Sequence, residues 1–170
     1  MRKKDFHFDE EDVDVLELEE DYETERDKPI PSKNHSIIQF RLSIVLGKHY
    51  LGQFEFMPEV KVAPPGIKPS VPDISIYPKM KVDWLNDGIE MTEPPITAIE
   101  ILSPTQSIEE VKDKIFDIFF PAGVRSAWLI VPTFRTVYIF TPDRQYTTFT
   151  SGSLHDPATG ITLALDEFFS

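Results

Sequence analysis

The sequence predicts an α/β domain, a mixed β-sheet flanked by helices, and three observations predict it. Ile38, Leu42, Val45 and Leu46 recur at helical spacing ahead of a series of strand-like segments. A short β-rich run over 96–102 precedes a helix announced by a capping box, Ser107 with Glu110, and by an apolar face of Ile108, Val111, Ile115, Ile118 and Phe119. A further apolar run over 128–131 follows that helix. A helical crossover returns a strand parallel to its sheet, whereas the earlier strands form a meander, so the sheet is mixed.

The elements follow in order. Residues 1–27 carry 4 basic and 13 acidic side chains, a net charge of −9. Runs such as Asp9-Glu10-Glu11-Asp12 repel themselves, so this stretch reads as an acidic arm, partly extended or disordered, ahead of a single domain over 28–170. Pro29 and Pro31 force an extended turn. Ser32 or Asn34 caps a helix over about 33–50, and Gly52 ends it. Phe54, Phe56, Val60 and Val62 alternate with polar neighbours as a strand, with Pro58 marking an irregularity or an edge. Strands then follow over 71–77 and 96–102, separated by a long connection. The second helix ends near Pro121, and Gly123 suits its exit. Strands at 128–131, 136–140 and about 145–150 complete the sheet, and residues 166–169 form a short closing turn.

Composition excludes several chemistries. The 170 residues contain no cysteine, which removes disulfides, thiolate zinc sites, iron–sulfur ligation and cysteine nucleophiles. No apolar run approaches the roughly 20 residues that cross a bilayer, and the basic start is followed by acid rather than an apolar run. A cytoplasmic protein without membrane contact is therefore expected. The net charge of −12 argues against a protein that coats itself in nucleic acid, but residues 28–170 carry only −3 of it. A phosphate-bearing substrate for the body stays open. The scattered glycines form no phosphate-binding loop, and the serines and histidines make no nucleophile arrangement.

Two carboxylates stand out. Strand alternation puts Asp73, Ser75 and Tyr77 on the face opposite Ile74 and Ile76. Glu100 lies inside Ile96-Thr97-Ala98-Ile99-Glu100-Ile101-Leu102, where burying it is costly without compensation. Acids on adjacent short strands, turned to one side, suit a hard divalent cation such as magnesium, which takes oxygen ligands and keeps waters. Such an ion activates water and stabilises charge on a phosphodiester, and a nearby lysine adds a donor. Against this stand two plainer roles: an aspartate after proline is often a strand-start residue, and a buried glutamate is often half of a structural ion pair.

The order Pro72-Asp73, Glu100-Ile101-Leu102-Ser103-Pro104, a lysine-bearing helix, Ala122-Gly123-Val124 and Trp128-Leu129-Ile130-Val131 resembles the Uma-two family. That family is classed with the restriction-endonuclease-like, or PD-(D/E)xK, nucleases. Tyr22-Glu23, Pro31-Ser32 and His35 also resemble its N-terminal pattern, so the similarity spans about 20–142. The resemblance implies a restriction-endonuclease-like core and magnesium-dependent (or manganese-dependent) phosphodiester hydrolysis. Asp73 and Glu100 would be the metal ligands, Glu23 a further one, and a helix lysine the catalytic cation. The chain departs from the superfamily pattern at one point, because the position two after Glu100 is Leu102 rather than lysine. Lys114 is the nearest match on the following helix, yet it lies one residue further from Ala122-Gly123-Val124 than the family pattern leads one to expect. Lys112 competes with it, and helical geometry does not choose between them.

The remaining candidates are peripheral. His35 at a helix start, and Lys79 and Lys81 after the Asp73 strand, are candidates for substrate contacts or for support of the site. Trp84, in the long connection, is a candidate for stacking on a base. The partner implied is nucleic acid, DNA in the first instance, and a homodimer is compatible with the sequence. The competing reading is a catalytically silent nucleic-acid-binding or protein-interaction domain that retains the fold.

Overall fold

The computed structural model describes residues 29–170. The acidic arm and Glu23 lie outside the described residues. Residues 31–170 make one compact unit. Helix α1 spans Lys33–Tyr50, and the Ser32 hydroxyl accepts from the His35 N–H at 3.2 Å to cap it. Its buried face is Ile38, Leu42, Val45 and Leu46, the spacing seen in the sequence.

Among the described residues the main sheet has six strands: β1 (Phe54–Pro58), β3 (Ile74–Pro78), β5 (Thr97–Ile101), β6 (Ser126–Val131), β7 (Thr136–Phe140) and β8 (Tyr146–Phe149), in that spatial order. All neighbours are antiparallel except β5 and β6, which the intervening helix makes parallel. Pleating divides the core in two. Ile74, Ile76, Ile99, Ile101, Trp128 and Ile130 pack on α1, while Ala98, Leu129 and Val131 pack on Val111, Ile115 and Phe119 of the crossover helix. The sheet is thus covered on both faces, the mixed α/β arrangement expected from the sequence.

Several elements differ from expectation. The strand anticipated over 54–62 breaks at Glu59, whose φ of +56° turns the chain sharply. The residues beyond form β2 (Lys61–Val62), which pairs parallel with β4 (Glu90–Met91) inside the long connection. The ladder of β3 starts at Ile74, so Asp73 stands at its mouth rather than within it. A hairpin of β9 (Ser153–His155) and β10 (Thr162–Ala164) precedes helix α4 (Asp166–Phe169). Its turn carries the buried Asp156, which accepts from Thr97 Oγ1 at 2.9 Å and Thr159 Oγ1 at 2.7 Å. That polar group fastens the C-terminal hairpin to the start of β5.

The crossover helix is not uniform. It runs as α2 (Ile108–Lys114), a π-helical turn (Ile115–Phe119) and α3 (Phe120–Ala122). The Ser107–Glu110 capping box forms as expected. Pro121 lacks an N–H and crowds the carbonyl four residues back, which disfavours an ordinary α turn just before it. Gly123 ends the helix with φ +107°, a conformation that side-chain-bearing residues rarely adopt. A Cβ there would also lie 3.2 Å from Pro94 Cγ. Among the described residues no helix is long and apolar enough to cross a membrane. Gly123→Ala should therefore lower stability by about 1–3 kcal/mol, read as a reduced midpoint in urea. An unchanged midpoint would mean that this helix exit does not need glycine.

Candidate active site

The β3–β5 register builds the site. Ile74 pairs with Ile99 and Ser75 with Ala98. Carried one residue further, the same register sets Asp73 opposite Glu100. Alternation turns Glu100 away from Ile99 and Ile101, toward the crossover helix. The register thereby places the two acids at facing positions just past a ladder of Ile74, Ser75 and Ile76 with Thr97, Ala98 and Ile99.

Each carboxylate is buried and compensated. Asp73 is 1% exposed and Glu100 2%. Asp73 Oδ2 accepts from the Ile101 N–H at 2.6 Å and lies 3.0 Å from His35 Nε2. His35 is itself buried, and its Nδ1 has no hydrogen-bond partner, so Nε2 is the nitrogen that carries the hydrogen toward the carboxylate. One helical turn on, Gln39 Nε2 donates to the Asp73 carbonyl at 3.0 Å and to Glu59 Oε1 at 3.1 Å. The first turns of α1 therefore hold residue 73 by both side chain and backbone, because positions i and i+4 share one face.

Glu100 is met from the other side. Lys114 Nζ lies 2.9 Å from Glu100 Oε1, with the two side chains 15% and 3% exposed. The ammonium also sits 5.5 Å from the centre of the Phe119 ring. A π turn follows directly after Lys114 and holds one residue more than an α turn, which sets the spacing from Lys114 to Ala122-Gly123-Val124.

The other candidates separate from this cluster. Lys112 turns outward and pairs with Glu109 on the exposed side of α2. Lys79 lies at the opposite end of β3 from Asp73, about 20 Å along the extended chain, and pairs with Glu55 at 3.0 Å. Lys81 is exposed on the connection that follows. Trp84, on the same connection, is 88% exposed. The sequence pointed to neither Gln39 nor Glu59. A glutamine one turn after a histidine at a helix start was the available signal for the first. Glu59 is revealed only by the break between β1 and β2.

The donor set fits a magnesium-type ion in part. Two opposed carboxylates match an ion that takes one or two protein carboxylates and completes its shell with water and phosphate. Among the described residues no group of three or more acids, histidines or cysteines could hold a metal ion.

Comparison with known proteins identifies the family and the fold. The family model Uma2, described as "Putative restriction endonuclease", matches residues 14–166. Among solved structures, the chain is similar to a crystal structure from Anabaena variabilis ATCC 29413, described as a putative nuclease belonging to DUF820. The two are 25% identical, the match covers 83% of each chain, and the TM-score is 0.69. No curated protein matches the chain. The family match spans nearly the whole sequence and includes both acids, the crossover helix and the C-terminal hairpin: the chain belongs to the Uma2 family of restriction-endonuclease-like proteins.

Proposed function

We propose that the chain is a divalent-cation-dependent endonuclease that hydrolyses phosphodiester bonds in DNA, with Asp73 and Glu100 as metal ligands and Lys114 as the catalytic cation. What supports this is the register, which carried one residue further sets Asp73 opposite Glu100, together with Lys114 Nζ 2.9 Å from Glu100. When bound, magnesium or manganese supplies positive charge for the phosphodiester and a water of lowered pKa. Glu23, matching the family's upstream acid, is a candidate for a further ligand.

The residues divide the work. His35 and the Ile101 N–H hold Asp73 Oδ2, which fixes the direction of the carboxylate before any ion arrives. Lys114 neutralises Glu100 in the metal-free protein, since a buried carboxylate needs a partner charge. Were Asp73 and Glu100 to hold a divalent cation, that ion would offset the charge of Glu100, and Lys114 would be free to donate to a non-bridging or attacking oxygen of the phosphate. Lys114 is the most exposed of the three, so it is the group with the shortest way to substrate.

The competing reading, a silent domain in which Glu100–Lys114 is only a structural ion pair, predicts different outcomes. Plasmid nicking in magnesium should fall at least about 100-fold in Asp73→Asn and in Glu100→Gln, which keep side-chain volume. Equal nicking in both variants and wild type would remove the pair from the chemistry. Millimolar magnesium should raise the melting temperature by several degrees, since a ligand at about 100 times its Kd adds ~2.7 kcal/mol. No shift would favour the silent domain. Lys114→Met should bind manganese several-fold more tightly by calorimetry while nicking more slowly. Weaker manganese binding would contradict the exchange of charge at Glu100.

A further inference from the structure

A cavity opens at the carboxyl ends of the parallel pair β5 and β6, its wall beginning two residues beyond Glu100. It has a volume of about 220 Å³ and is bordered by Leu102, Val131, Phe134, Asn34, Gln106 and Thr133, among others. Leu102 is two residues beyond Glu100 and so points to the same side of the sheet, about 7 Å further along the strand direction. Crevices at strand carboxyl ends, where the chain leaves to opposite faces, are the usual ligand sites of α/β sheets.

The lining restricts what enters. None of the side chains around the cavity is charged, so nothing there would compensate a phosphate group. Nor is it uniformly apolar. Gln106 accepts from the Ser103 N–H through Oε1 at 3.2 Å, which turns its amide nitrogen to the other side, and Asn34 adds a second carboxamide. Phe134, on the 3₁₀ turn Pro132–Phe134, is 75% exposed, an open ring at the rim of the cavity. The volume is below the roughly 300–1,000 Å³ of sites for drug-sized ligands. A flat heterocycle with hydrogen-bonding edges matches all of these features: ring against Phe134, Leu102 and Val131, edge against the carboxamides.

Resting on the nuclease reading above, we infer that this cavity receives one nucleobase of the DNA, unstacked from its neighbours, beside the backbone segment that lies along Lys114 and the two acids. A base inside an intact duplex cannot present its ring to Phe134. It must be swung out or already unpaired, and unpairing costs least where the pairing is already defective. The preferred substrate is therefore DNA with an unpaired nucleotide at the point of attack.

The test is binding without any divalent cation, so that it does not depend on catalysis. Fluorescence anisotropy would compare a short duplex with the same duplex carrying one unpaired nucleotide. Wild type should bind the bulged duplex about 10-fold more tightly. Phe134→Ala should abolish that preference without changing affinity for the perfect duplex, and Phe134→Trp should keep it. Because Phe134 is largely exposed, neither substitution threatens folding, and far-ultraviolet circular dichroism checks this. No preference in wild type, or an undiminished preference in Phe134→Ala, overturns the inference. A Phe134-dependent preference in a protein that fails the nicking test leaves the base site standing and removes only the nuclease reading.

Discussion

The structure depends on how two buried carboxylates are accommodated at one end of a largely apolar sheet. Asp73 and Glu100 are almost wholly inaccessible, and an uncompensated carboxylate in such surroundings costs several kcal/mol. The compensation comes from different layers. Helix α1 supplies His35 to Asp73, the β5 backbone supplies the Ile101 N–H, and the crossover helix supplies Lys114 to Glu100. The same elements also build the cores: α1 packs on one face of the sheet, the crossover helix on the other, and β5 contributes to both. The site and the fold are therefore held by one set of contacts, with the acids where the two helical layers meet the sheet.

That arrangement explains the irregular features nearby. The π turn follows directly on Lys114, the residue that meets Glu100. The left-handed Glu59 ends β1 where Gln39 can reach both it and the Asp73 carbonyl. These two departures from regular geometry lie where the chain places particular atoms that regular elements alone do not position.

Much of this was legible in the residues. The α1 boundaries followed from Ser32, the apolar spacing and Gly52, and the mixed sheet followed from the crossover between two apolar runs. Asp73, Glu100 and the choice of Lys112 or Lys114 were also in view, because acids inside apolar strands are conspicuous. Periodicity could not separate the two lysines, since both flank the apolar face. Their partners separate them, Glu100 for Lys114 and Glu109 for Lys112, and a partner on a distant strand leaves no local pattern. The β9–β10 hairpin was missed because its strands are short and its anchor, Asp156, is satisfied by Thr97 from a distant part of the chain. Lys79 looked close to Asp73 in sequence, but β3 carries it to the opposite end of the sheet.

The central claim is that Asp73 and Glu100 hold one cation between them. Crystals soaked in manganese and recorded for anomalous scattering test it directly. The account predicts a peak about 2.0–2.3 Å from a carboxylate oxygen of each residue, with Lys114 Nζ moved off Glu100. A full-occupancy peak elsewhere, or none at these acids with the Lys114–Glu100 pair intact, would contradict it.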